Sequence, residues 1–301
     1  MGKSNNSILF VIPALIWGST WYAITFQLGP VDPLVSVTYR FSLAAALLLL
    51  FCVVTKRSLK FSFTEHLRIA LQGAFLFGFN YWLVYQSESY LSSGLVAVGF
   101  STLIFWNIFF AAIFLGKLMD KKVIISAISG LAGTAIIFRD ELLSFESGSD
   151  GYTGLALLIS SIMIASLGNI ASAKNSSLKI PVVQATALGM TYGAIIMLIL
   201  ALFLNKSFVI DTSPGYLISL VYLTIFGSII AFSAYLTLIS RIGPDKAAYA
   251  IVVVPVVAVI ISTFLEDFQF TGLTALGMVL LLAGNVLALY KKPKASSTTA
   301  K

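Results

Sequence analysis

Apolar positions run along this chain in long blocks broken by short polar stretches, without the apolar–polar alternation of a half-buried strand. Ten blocks stand out: Ile8–Phe26, Leu34–Val54, Leu67–Gln86, Gly94–Leu115, Val123–Phe138, Gly154–Ile170, Val182–Leu204, Tyr216–Leu238, Ala247–Leu265 and Leu273–Tyr290. A helix rising 1.5 Å per residue needs about 20 apolar residues to cross a ~30 Å hydrocarbon core. Most blocks reach that length; the fifth and sixth fall short. The pattern predicts an all-α integral membrane protein with ten transmembrane helices. A transmembrane barrel would need short alternating segments, which are absent. Only Lys3 precedes the first block, and no small-residue cleavage site comes before the polar turn at 27–32, so it reads as a span and not a signal peptide.

Composition agrees. Of 301 residues, 58% are hydrophobic and 10% charged, against about a quarter charged in ordinary soluble domains. Cys52 is the single cysteine, which excludes an intrachain disulfide, and with His66 as the single histidine no metal site is expected.

The net charge of +7 could point to nucleic acid, but its distribution points to orientation. With the N-terminus cytoplasmic and ten spans following, sixteen of the nineteen Lys and Arg fall in cytoplasmic segments. Arg139 and Lys206 fall outside, and Arg40 lies within a span. That bias follows the positive-inside rule. It predicts cytoplasmic N- and C-termini in a multi-pass protein of a bacterial-type inner (plasma) membrane, with the lipid bilayer and not nucleic acid as its charged partner.

The longest loop, 139–153, divides the blocks into two sets of five. "LVSVTYRFSLAAALLLLF" (34–51) lines up with "VVQATALGMTYGAIIMLILALF" (182–203), each starting after a proline. "LAGTAIIF" (131–138) lines up with "LAGNVLAL" (282–289), and the offset stays near 150 residues. Five being odd, the second set enters the membrane from the opposite side. Two inverted five-helix repeats around a central cavity are expected, 1–145 and 146–301, the second ending in a short basic tail. Inverted repeats give a transporter two related gates around a midplane site. No phosphate-binding G-x-x-x-x-G-K-[ST] loop is present and no cofactor is implied. An intramembrane hydrolase would need a base beside a nucleophile, so no catalytic residues and no enzyme are expected.

Several short motifs carry a resemblance. They are Leu15-Ile16-Trp17-Gly18-Ser19 in the first block, Tyr39-Arg40-Phe41 in the second, "YLSSGLVA" (90–97) entering the fourth, and the Phe-Leu-Gly and Phe-Leu-Glu ends of the fourth and ninth. In this order, over residues 8–290, the chain resembles the ten-helix EamA-type transporters of the drug/metabolite transporter superfamily. The resemblance implies a basket of two inverted repeats and export of small metabolites or drugs, with spans one, three, four, six, eight and nine around the pathway. One position departs: the family often has glutamate after Leu-Gly at the end of span four, where this chain has Lys117. The second half keeps Glu266 and Asp267.

Candidate pathway residues are the polar and aromatic side chains that interrupt the blocks. Arg40 is the one charge well inside a span. An intramembrane charge is costly and functional by default. Two readings stand: it snorkels to the headgroups, or it faces the cavity to bind a carboxylate or hold a gate. Phe77, Tyr81, Tyr85 and Glu88 share one face of the third helix, and Glu88 is a candidate partner for Arg40. Ser101, Trp106 and Asn107 in the fourth block and Asn169 in the sixth serve either helix packing or the cavity. In the ninth, Tyr249 precedes Pro255, which frees the carbonyl of Ile251 and bends the helix. Trp17 and Trp21, one turn apart, can present flat walls to a cavity, whereas Gly18 suits close packing. Ser126, Gly130 and Gly133, with Gly277 and Gly284, read as packing faces.

With no Asp, Glu or His near any midplane, the expected mechanism is facilitated transport or exchange by alternating access. The substrate is a small molecule: a metabolite, amino acid or drug-like compound, with aromatic or amphipathic solutes favoured by the ring content. The rivals are an importer or exchanger of nucleotide-like metabolites, or a membrane sensor or assembly protein. Self-association into a homo-oligomer stays open.

Overall fold

The computed structural model describes residues 4–116, 121–137, 139, 150–242, 247, 249–266 and 268–289. Among them every regular element is helical. Ten rods follow one another: α1 (Ser4–Thr25), α2 (Pro33–Val54), α3 (Phe63–Gly73, Ala74–Phe79 and Asn80–Glu88), α4 (Ser93–Phe100 and Leu103–Leu115) and α5 (Lys121–Ile137). Then come α6 (Asp150–Ser177), α7 (Val182–Phe203), α8 (Pro214–Tyr222, Leu223–Ile230 and Ala231–Ile242), α9 (Tyr249–Val252 and Val254–Leu265) and α10 (Gly272–Leu289).

Six helices among the described residues are long and apolar enough to cross a bilayer, and Ile124–Ile137, Val254–Leu265 and Gly272–Leu287 are shorter apolar ones. Their outer faces carry bare rings and branched chains, such as Phe203 at 80% and Phe264 at 82% exposure. Faces of that kind belong against hydrocarbon. The expected ten-helix all-α fold is thus present. The sixth block differs: α6 begins at Asp150 and continues through polar Ser172, Lys174 and Asn175 to Ser177. A hydropathy block marks hydrocarbon length, and the backbone ladder runs past it. The expected boundary at residue 145 lies outside the described residues.

Local chemistry sets the helix ends. Asp32 accepts from the Leu34 N–H at 2.9 Å, with Pro33 opening α2, a position where proline's missing N–H costs nothing. Ser62 and Glu65 form a reciprocal capping box on α3. Ahead of the apolar run, the Ser62 backbone N–H and hydroxyl hold the exposed Glu65 carboxyl below its ordinary range. Contacts also fix which loops share an end. Lys206 pairs with Asp32 at 2.7 Å, and the Gln27 amide donates to the Tyr216 carbonyl at 2.8 Å. At the opposite end Tyr192 hydroxyl meets His66 Nδ1 at 2.6 Å, and Asn175 donates to Gln72 at 2.8 Å.

Four helices are irregular, and they occupy matching places. α3 passes through a π-helical segment at Ala74–Phe79, and α8 through another at Leu223–Ile230. α4 breaks at Ser101 and Thr102, and α9 breaks at Val253. Each pair is separated by close to the 150 residues that relate the sequence matches. In α4, the Thr102 hydroxyl bonds back to the Gly99 carbonyl at 2.8 Å and Ser101 to Val98, competing with the ladder. In α9, Pro255 sits in the first turn of the second segment. The bend therefore falls ahead of the proline.

Packing exchanges helices between the halves. α1 lies against α8 and α9, α6 against α3 and α4, α2 against α7, and α5 against α10. The last pair touches backbone to backbone: a Cβ added to Gly133 would lie 2.5 Å from the Gly277 carbonyl, and one on Gly284 2.7 Å from the Ser126 carbonyl. These small residues do what their spacing predicts. Gly18 likewise seats α1 on Val257 of α9, a built Cβ meeting it at 2.5 Å.

Candidate functional site

The exchanged packing leaves a space between the halves. A cavity of about 660 Å³, its open mouth included, is walled by α1, α3, α4, α6, α8 and α9. Those are the six helices that the resemblance implies. α1 contributes Trp17, Thr20, Trp21 and Ile24; α3 contributes Leu76, Asn80, Tyr81 and Val84. Ala97, Phe100 and Leu103 come from α4, Ala165 and Asn169 from α6, Phe232 and Tyr235 from α8, and Ile251 and Val254 from α9. Six of these side chains are rings and none carries a formal charge.

Interlocking rings build the wall. Trp17 meets Phe232 and Tyr235 edge-on, with centroids 5.0 and 5.1 Å apart, the geometry the ring quadrupole prefers. Trp21 leans on Phe100 at 5.0 Å. The Trp17 indole N–H donates to the Gly227 carbonyl at 3.2 Å, inside the π-helical segment of α8, so that segment and the cavity wall are tied together. A π-helical turn is often a functional feature of a helix, and here it supplies the acceptor that orients a wall tryptophan.

Arg40 lies behind this wall. It is wholly buried, which excludes the snorkelling reading. Its Nε donates to the Ser228 hydroxyl at 2.9 Å and its Nη1 to the Tyr85 hydroxyl at 3.3 Å. The guanidinium carbon stands 4.5 Å from the Tyr81 ring centre, a cation–π distance. Its Nη2 has no hydrogen-bond partner. The lack of a Cβ on Gly227 makes room for it: one placed there would lie 3.0 Å from Nη2. No ion pair joins Arg40 to Glu88. Both Glu88 carboxylate oxygens are buried without a hydrogen-bond partner, while the Ser93 and Ser262 hydroxyls donate to Glu266 and bind the start of α4 to the end of α9.

The remaining sequence candidates separate. Trp17, Trp21, Tyr81 and Asn169 line the cavity; Arg40, Tyr85 and Glu88 do not. Phe77 is buried against Phe41 and Phe232. Ser101 serves the break in α4, and Pro255 is buried just past the break in α9. Asn107 stands behind Asn169, accepting from its amide at 3.3 Å and from Ser166 at 2.8 Å. Trp106 stacks on Phe110 in the α4–α6 contact. Tyr249 opens a short helix, and its side chain lies outside the described residues, as do Lys117 and Asp267. Sequence reasoning passed over Thr20, Asn80, Phe232 and Tyr235. Asn80 carried the same signal as Asn107, an amide interrupting an apolar block; Phe232 and Tyr235, three apart on α8, gave only ordinary ring spacing.

Known proteins place this arrangement. The model of the EamA-like transporter family matches the chain twice, over residues 6–139 and 152–290. "Protein PagO" of Salmonella typhimurium is 25% identical over 96% of this chain and 94% of its own. "Uncharacterized inner membrane transporter YedA" of Escherichia coli is 29% identical over 88% and 85%. A solved crystal structure superposes with a TM-score of 0.72 at 17% identity, covering 95% of this chain and 97% of that one, which shows the fold.

Proposed function

The chain belongs to the EamA-like transporter family, and we propose that it exports small metabolites, amino acids or drug-like compounds across an inner membrane by alternating access. The observation that carries this reading is the cavity itself, walled by helices from both family matches and lined by rings and neutral polar groups. The exchanged packing of α1 and α6, each the first helix of its half lying against the other half, supports the alternating-access reading. The names of relatives such as the Escherichia coli protein support the inner-membrane location. The lysine and arginine bias supports cytoplasmic termini. Transport is facilitative or by exchange, and no catalysis takes part. The nucleotide-like rival would need several cations in the cavity, and its lining has none.

Cells overexpressing the chain are expected to release an accumulated solute faster than control cells, over a panel of amino acids, metabolites and cationic drugs. No difference for any compound would overturn the export reading. A cysteine placed at residue 145 is expected to react with an impermeant reagent from outside and one at 119 from inside; the reverse pattern would overturn the orientation.

A further inference from the structure

Three polar atoms of the cavity-lining side chains are buried without a hydrogen-bond partner: the Trp21 indole Nε1, the Asn80 amide Oδ1 and the Tyr235 hydroxyl. The side chains that carry them, on α1, α3 and α8, line one space, while the three atoms themselves are closed over by their neighbours. The Asn80 amide nitrogen already faces the Leu76 carbonyl at 3.4 Å, which leaves the oxygen as its free end. Buried polar groups in folded proteins almost always have partners, and exceptions gathered at one place call for an explanation.

Their chemistry is specific. Trp21 is a donor only, Asn80 Oδ1 an acceptor only, and the tyrosine hydroxyl can be either. Among the described residues no carboxylate, ammonium or guanidinium lines the cavity. The one buried cation among the described residues lies behind the wall: Arg40 has Ser228 on Nε, Tyr85 on Nη1 and the Tyr81 ring under its plane, and its unpartnered Nη2 lies against Gly227, which does not line the cavity. Tyr81 is at once that ring and part of the cavity wall.

We propose that the cavity selects uncharged planar ring compounds bearing both a hydrogen-bond acceptor and a donor. A bound ring reaches the three covered atoms as their side chains turn toward it: its acceptor goes to the Trp21 N–H and its donor to Asn80 Oδ1, with Tyr235 closing either one. This narrows the transport reading to its uncharged metabolites and drug-like compounds, leaving amino acids out, and rests on it for the cavity's role. A carboxylate would find the Trp21 N–H, the Tyr235 hydroxyl and no cation beside the Asn80 oxygen, too little to offset its desolvation. A cation would find ring faces, but the Arg40 charge beneath Tyr81 opposes it across a medium of low dielectric. An apolar ring of the same size would leave all three polar atoms unanswered.

The test uses the full chain in lipid nanodiscs and four probes that share one ring: benzamide, benzoate, benzylammonium and ethylbenzene. Affinity is read from the ligand-induced rise in unfolding temperature. Benzamide is expected to bind most tightly. Asn80→Leu and Trp21→Phe each weaken benzamide roughly five- to tenfold, the loss of one buried hydrogen bond, and leave ethylbenzene unchanged, which also certifies the fold of the variants. Benzoate or benzylammonium binding as tightly as benzamide would overturn the proposal, as would benzamide binding that neither variant weakens, or no binding by any probe. Benzamide that binds with this pattern yet enters vesicles no faster with the chain than without it removes the transport reading and upholds the selectivity.

Discussion

α3 and α8 suffer the same backbone deformation and are sealed in different ways. Each widens to a π-helical segment midway. At α3 the neighbour α7 comes in bare: the backbones of Gly73 and Gly189 approach so closely that a Cβ on Gly73 would lie 2.1 Å from the Gly189 carbonyl. At α8 the neighbours arrive with their side chains extended, Trp17 to the Gly227 carbonyl and Arg40 to the Ser228 hydroxyl. Steric fit holds the first irregularity, and polar contacts hold the second. The halves share a backbone plan, and their side chains have specialised: one irregularity is a packing joint, the other the anchor of the cavity's wall.

Substitution tests that contrast directly. The largest effect is expected from Gly73→Ala, which pushes a methyl into backbone that cannot yield: about 3 kcal/mol or more lost, the upper end of overpacking, read by thermal unfolding in detergent. The added methyl has no such obstacle if the two helices part freely, and a loss under 1 kcal/mol would show that they do. Trp17→Phe keeps the ring contacts but leaves the Gly227 carbonyl without its indole donor. It should cost about 1 kcal/mol; a null effect would mean that the polar seal of α8 contributes nothing to stability. Asn80→Leu, the corresponding change at α3, removes only a long bond to Leu76, and a shift within about 0.5 kcal/mol is expected from the same measurement. If Asn80→Leu proved costlier than Trp17→Phe, the division into steric and polar joints would be reversed.

The smallest effect lies at the start of α3. Glu65 has its carboxyl held below the ordinary range by Ser62, so the capping box is present at neutral pH and is lost as pH falls through that lowered value. Amide exchange over 63–66 should speed up only in acid, and Ser62→Ala should move that onset to higher pH. An unchanged onset would disconnect the box from Glu65.

Spans and the glycine seam were legible because each rests on a local rule: hydropathy length for α2 or α7, small residues at helical spacing for Gly133 and Gly277. The π-helical segments were not. "AFLFGF" contains neither proline nor a polar residue, the Thr224, Gly227 and Ser228 of "LTIFGSII" are ordinary in a membrane helix, and what holds both segments comes from other helices. Pro255 announced a bend but not its place, because a proline is at home in a first turn and the ladder fails before it. Arg40 was visible as a charge in a span, but its partners were not: Tyr85 and Ser228 lie 45 and 188 residues away. Glu88 was the partner that charge alone suggested, and two phenols and a serine took its place. Of the cavity, the tryptophans of α1 and Tyr81 and Asn169 could be named, since each interrupts an apolar block. Phe232 and Tyr235 look like any other membrane-helix rings until the fold turns them toward Trp17.

The long interval between Arg40 and Ser228 also orders events at the ribosome. α2 must enter the bilayer carrying a guanidinium whose nearest phenols, on α3, follow within one hairpin, while the serine on α8 is synthesised 188 residues later. Until then the nascent first half holds a cation that only rings and one hydroxyl can shelter. Synthesis of α8 supplies the Ser228 acceptor, so the burial of Arg40 is completed only when the second half has been made.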